Sequence, residues 1–149
     1  MSSIPETFTQ PAAPILAADT SPARATILLV EDDRSLRRYL EVTLRRAGYE
    51  VVTAADGLEA MKMALSNSVD AIVTDAIMPH LNGYELLRFL RRHPKLGALP
   101  VLLLSGAERQ ESPRDAGEGA NAYLAKPVRP EELVACITKL LSNPAETRG

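Results

Sequence analysis

Residues 71–83 read AIVTDAIMPHLNG, and residues 84–92 continue YELLRFLRR. The first four residues are a short apolar run, the signature of a buried strand. The run stops at an acid, Asp75, and passes through a turn containing Pro79 and Asn82-Gly83. It then becomes an amphipathic helix over Tyr84–Arg92, which stops before Pro94. A buried strand that leads through a short loop into a helix is half of a βαβ unit, and the same sentence recurs along the chain.

Upstream, Thr26–Val30 (TILLV) is a strand. Leu36, Leu40, Leu44 and Ala47 then recur at helical spacing, with Gly48 placed as a C-terminal cap. Glu50–Thr53 is a second strand and Leu58–Leu65 a second helix, capped by Asp56. Downstream, Val101–Leu104 (VLLL) is a fourth strand and Asn121–Leu124 a weak fifth. Glu131–Leu141 is a last helix, with Pro130 at its start and Leu133, Ile137, Leu140 and Leu141 on one face. Five alternations of strand and helix predict a doubly wound α/β fold with a parallel sheet covered on both sides.

The flanks read differently. Residues 1–24 are rich in Pro, Ala, Ser and Thr without periodicity and are expected to be a disordered tail, as are residues 143–149; the domain is expected over 25–142. The chain has 149 residues, 46% hydrophobic and 24% charged, with a net charge of -2. That length suits one cored domain. The charge argues against a surface built for nucleic acid. Arg34, Arg37, Arg38, Arg45 and Arg46 cluster on the first helix, where they are expected to be a solvated face. Cys136 is the only cysteine, so neither an internal disulfide nor a thiolate metal site can form. No apolar run reaches the about 18 residues of a membrane span, and the N-terminus has no signal-peptide pattern. A monomeric or weakly dimeric cytoplasmic protein is expected.

In doubly wound folds the ligand sits beyond the carboxyl ends of the strands. Glu31, Asp32 and Asp33 follow the first strand, Asp75 the third, Ser105 and Gly106 the fourth, and Lys126 and Pro127 the fifth. Carboxylates gathered without a counter-charge would take up protons, whereas Mg²⁺ accepts oxygen ligands and bridges carboxylates to phosphate. With Lys126 as a second positive charge, such a site can attract a phosphoryl group and a carboxylate can act as its nucleophile. Asp33 is expected to cap the first helix. His80 and His93 lack metal-ligand spacing and are expected to be structural or solvated.

The segments LLVEDD (28–33), TDAIMPHLNG (74–83), LLLSG (102–106) and YLAKP (123–127) resemble, in order, the marker motifs of response-regulator receiver domains of two-component systems. The resemblance implies a flavodoxin-like (βα)5 three-layer sandwich with strand order 2-1-3-4-5. It implies Asp75 as phosphoacceptor, with Mg²⁺ bound by Asp32 and Asp75, by Glu31 through water, and by the carbonyl of Ile77. It further implies Lys126 on the phosphoryl oxygens, a cis Lys126–Pro127 bond, Ser105 as switch hydroxyl, Tyr123 as the aromatic that follows it, and Gly83 as the pivot into the third helix. The donor would be a histidine kinase or histidine phosphotransfer protein docking at the first helix, and the output a protein target. Such a domain is a phosphorylation switch and not an enzyme acting on an external substrate.

The sequence departs from that pattern between the fourth and fifth strands. ERQESPRDAGEGANA (108–122) has Pro113, Gly117 and Gly119 and almost no large apolar residue, so the fourth helix is expected to be short or distorted. Other readings fit less well. A haloacid-dehalogenase-type phosphatase needs a second Asp two positions after the nucleophile, where Ile77 stands. A flavodoxin-like cofactor binder needs a glycine- or hydroxyl-rich phosphate loop where EDDR stands. A receiver that has lost its phosphate chemistry would lack some of these site positions.

Overall fold

The computed structural model describes residues 24–106 and 119–142. Five parallel strands form one sheet in the order β2-β1-β3-β4-β5: β1 Thr26–Val30, β2 Glu50–Ala54, β3 Ala71–Asp75, β4 Val101–Ser105 and β5 Ala122–Ala125. Among the described residues four helices cover it: α1 Arg34–Arg46, α2 Gly57–Ser66, α3 Gly83–Arg92 and α4 Pro130–Ser142. The expected disordered tails (but for Arg24) and the expected distorted helix after β4 lie outside the described residues.

Each face of the sheet has its own core. Ile27, Leu29, Val73, Leu102 and Leu104 pack with Leu40 and Leu44 of α1 and with Leu133, Ile137 and Leu140 of α4. Leu28, Val30, Ile72 and Leu103 pack with Ala60 and Ala64 of α2 and with Leu86, Leu87 and Leu90 of α3. Alternate residues of each strand therefore serve opposite faces, and β1, β3 and β4 are apolar over most of their length. Each fully buried Leu or Ile contributes roughly 1.5–3 kcal/mol through the area it removes from water.

The helix starts are set locally. Asp33 caps α1 by accepting from the Leu36 N–H at 3.1 Å, and Asp56 caps α2 by accepting from the Glu59 N–H at 2.9 Å. Asn82 and Glu85 form a reciprocal capping box at α3, each side chain accepting from the other's backbone N–H. Gly48 leaves α1 at φ +102°, a conformation glycine adopts without a Cβ clash.

Three expectations need correction. β5 runs Ala122–Ala125, one residue later than expected, because Asn121 turns its side chain to the first residue of β4, Val101, instead of joining the strand. Ala47 is the exposed C-cap just past α1, so the helical spacing of apolar residues stops at Leu44. The arginines of α1 are not all a solvated face. Arg37 donates to the Glu31 carbonyl at 2.8 Å, and Arg45 donates to the Val51 carbonyl at 2.8 Å while pairing with Glu41. Their long stems let them reach backbone acceptors that helical periodicity does not reveal.

Candidate functional site

The site forms where β1, β3, β4 and β5 end. Glu31 follows β1 and is buried, Asp32 beside it is exposed, and Asp75 closes β3 with 5% of its surface accessible. Ligand oxygens of these three carboxylates lie within 4.8 Å of one another. Lys126, which follows β5, brings its Nζ to 2.9 Å from Asp75 Oδ2 and 3.4 Å from Glu31 Oε1. The four residues come from three strands and from sequence positions almost a hundred apart.

Backbone packing holds Asp75 in place. Its peptide continues into Ala76, whose N–H donates to the Leu104 carbonyl and whose carbonyl accepts from the Gly83 N–H. A Cβ on Gly83 would run into the Asp75 carbonyl oxygen, so only glycine lets α3 begin this close. Glu31 is fixed by its own Oε2, which accepts from the Asp33 N–H, and by Arg37 on its carbonyl. Arg37 is a positioning residue that the sequence reading missed; its place one turn into the helix after the acid run was the only sign.

The charges are strongly coupled. Burial, reinforced by Asp75 beside it, pushes the Glu31 carboxyl up to about 7. Burial likewise lifts Asp75 above the ordinary carboxylate range, against the opposing pull of Lys126. For Lys126, burial disfavours the charge, but Asp75 and Glu31 together outweigh it and hold the ammonium above its usual range. Three carboxylates face one ammonium, and the buried Glu31 Oε1 has no hydrogen-bond partner. An excess of clustered anionic oxygen over a single ammonium fits a hard divalent cation.

The other expected residues lie around this cluster. Ser105 ends β4, and its carbonyl accepts from the Lys126 N–H at 2.8 Å. Tyr123 is half-buried on β5 against the α2–α3 core, on the face that also takes Val101 and Leu103. By strand alternation Ser105 faces the same way. Ile77 has an exposed side chain, and its backbone N–H bonds the Asp75 carboxylate. Lys126–Pro127 is cis. His80 is exposed at φ +69°, and His93 rests against Phe89. Cys136 is a free thiol packed against the α1–α4 core. Among the described residues no helix is long and apolar enough to cross a membrane.

Comparison with known proteins agrees with this geometry. Residues 27–138 match the family model of the response regulator receiver domain. Response regulator MprA of a Mycobacterium species (strain KMS) is 42% identical over 125 residues, which are 83% of this chain and 53% of that protein. The chain thus spans about half the length of the curated relatives it matches. A putative response regulator from Chloroflexus aurantiacus is 41% identical, with a TM-score of 0.75 over 80% of this chain and 99% of that one. The receiver domain of sensor histidine kinase PA1611 from Pseudomonas aeruginosa, solved with a magnesium ion coordinated in its active site cleft, is 34% identical. Its TM-score is 0.74, over 80% of this chain and 99% of that one. With its 2-1-3-4-5 sheet and an acidic pocket suited to an aspartyl phosphoacceptor, the chain belongs to the response regulator receiver domain family of two-component signalling.

Proposed function

We propose that Asp75 accepts a phosphoryl group from a histidine kinase or histidine phosphotransfer protein, and that this changes what the domain binds. The observation that carries the reading is the 2.9 Å contact of Lys126 with Asp75 inside a cluster of three carboxylates. A lysine so placed opposes the burial that disfavours the Asp75 carboxylate and offers its remaining donors to an incoming phosphoryl oxygen.

In the transfer, an Asp75 carboxylate oxygen attacks phosphorus. The bond from phosphorus to the donor's imidazole nitrogen breaks, and its electron pair stays on that nitrogen. Glu31, Asp32, Asp75 and the Ile77 carbonyl are the groups that would hold Mg²⁺, the ion in the cleft of the PA1611 receiver. Bound there, it would neutralise charge on the phosphoryl oxygens. Lys126 stays with the phosphoryl group, and Ser105, one strand across, supplies a hydroxyl to it. Tyr123 shares a face with Ser105 and follows it inward, which changes the outer surface of β5. The domain acts as a switch rather than as an enzyme with an external substrate. A cytoplasmic location and a protein output target go with this reading.

Intact-mass spectrometry after incubation with acetyl phosphate and Mg²⁺ tests it, with Asp75→Asn and EDTA as controls. The expected result is one phosphoryl adduct that needs both Asp75 and the metal. An adduct that persists in Asp75→Asn, or none in the wild type with either acetyl phosphate or a phosphohistidine donor, refutes it.

A further inference from the structure

Arg91 lies on α3 between Arg88 and Arg92, both exposed, yet its guanidinium turns into the protein. Its Nη1 donates to the carbonyls of Gly97 (3.1 Å) and Leu99 (2.8 Å), its Nε to the Gly119 carbonyl (2.8 Å) and its Nη2 to Asn121 Oδ1 (2.8 Å). The first two acceptors precede β4 and the last two precede β5. One planar fork therefore ties the approaches to two neighbouring strands together, using the geometry that distinguishes arginine from lysine. Gly119 has φ +103°, and a Cβ there would stand 3.4 Å from Arg91 Cγ.

Asn121 extends the clasp. Its Oδ1 also accepts from the Val101 N–H at 2.8 Å, and its own N–H donates to the Val101 carbonyl at 2.9 Å. Two bonds to one residue fix the pairing of β5 on β4 at its first rung, ahead of Leu102 opposite Ala122. β5 needs such an anchor. It has four residues, it is the edge strand, it pairs with β4 alone, and none of its residues is fully buried. Apolar burial, which fixes β1 and β3, is weak here. A slip of one residue would turn every side chain to the other face and carry Lys126 away from Asp75.

We propose that Arg91 is a positioning residue for the phosphoryl site: by clasping Gly119 and Asn121 it sets the register of β5 and so delivers Lys126 to Asp75. Asn121 and Lys126 are about 16 Å apart along an extended strand, so the action passes through the strand and not by contact. This rests on the phosphoacceptor reading above. If Arg91 only added general stability, its loss would loosen all strands alike.

The test uses the full chain as wild type, Arg91→Lys, Arg91→Ala and the outward-facing control Arg88→Ala. Residue-resolved amide exchange is measured together with the rate of phosphoryl uptake from saturating acetyl phosphate and Mg²⁺. Arg91→Lys should keep β1 and β3 protected, lose protection over Asn121–Lys126 and slow uptake about tenfold, while Arg88→Ala matches the wild type. Uptake by folded Arg91→Lys equal to the wild type overturns the proposal. So does a slowdown with protection lost evenly across all strands. Should Arg91→Ala not fold, Arg91→Lys decides. A wild type that takes up no phosphoryl group refutes the phosphoacceptor reading instead, and the Lys126 amide exchange of Arg91→Lys then decides the positioning role by itself.

Discussion

Lys126 Nζ sits 2.9 Å from Asp75 Oδ2 and 3.4 Å from Glu31 Oε1, so one ammonium on an edge strand serves two buried acids on inner strands. Removing it should be felt in both chemistry and stability. Lys126→Ala leaves Glu31 and Asp75 facing each other uncompensated. We expect phosphoryl uptake from acetyl phosphate to fall at least about tenfold, by intact mass. We also expect a loss of about 2 kcal/mol in urea unfolding at pH 7 without metal. Uptake at the wild-type rate would refute the role given to this lysine.

Glu31 gives the metal-free protein a pH dependence of defined sign. Burial and the neighbouring Asp75 push its carboxyl up from an ordinary 4.5 to about 7 in the folded protein, so the folded state binds this proton more tightly. That stabilisation is complete below pH 4.5 and is lost as pH rises through 7. Without metal, Glu31→Gln should therefore unfold at a higher temperature than the wild type at pH 8, and the gap should narrow toward pH 5. Thermal melts across that range check it. A gap that widens on acidification refutes it.

Metal and proton compete for the same oxygens. The stabilisation by Mg²⁺, read as the rise in melting temperature on adding it, should grow as pH rises from 5 to 8, and Glu31→Gln should flatten that slope. A pH-independent rise would exclude Glu31 from the metal site.

Gly83→Ala should disturb the phosphoacceptor through its backbone. The new Cβ meets the Asp75 carbonyl oxygen, which belongs to a fully paired inner strand and cannot yield cheaply. A loss of about 2–3 kcal/mol is expected in denaturant unfolding, with slower phosphoryl uptake by the molecules that remain folded. A neutral substitution would show that α3 can shift away.

Ser105→Ala should still take up the phosphoryl group on Asp75 but should uncouple Tyr123. NMR of the Tyr123 ring with and without acetyl phosphate and Mg²⁺ checks this: the wild-type ring resonances should move and those of the variant should not. Equal shifts in both would show that Tyr123 answers to something other than the Ser105 hydroxyl.

The strands and helices were largely legible because their causes are local. Val101–Leu104 is apolar because both faces of the sheet are covered, and Asp33, Asp56 and Asn82 cap helices through bonds to residues three positions on. β5 was read one residue early because the conflict at Asn121 is settled across space, where Arg91 and Val101 share its oxygen. The bond of Arg37 to the Glu31 carbonyl is hidden in the sequence for the same reason: a helix pattern shows which face an arginine occupies, not which distant carbonyl its stem can reach.

The alternation of elements and the kinds of groups at the strand ends follow from local sequence, since apolar runs, capping residues and turn residues act over a few positions. The meeting of Glu31, Asp32, Asp75 and Lys126, the burial of Glu31 Oε1 with Lys126 3.4 Å away, and the tie of Arg91 between β5 and β4 appear only in three dimensions. Those facts depend on strand order and register, which are fixed by burying two apolar faces at once and by hydrogen bonds between residues far apart in the chain.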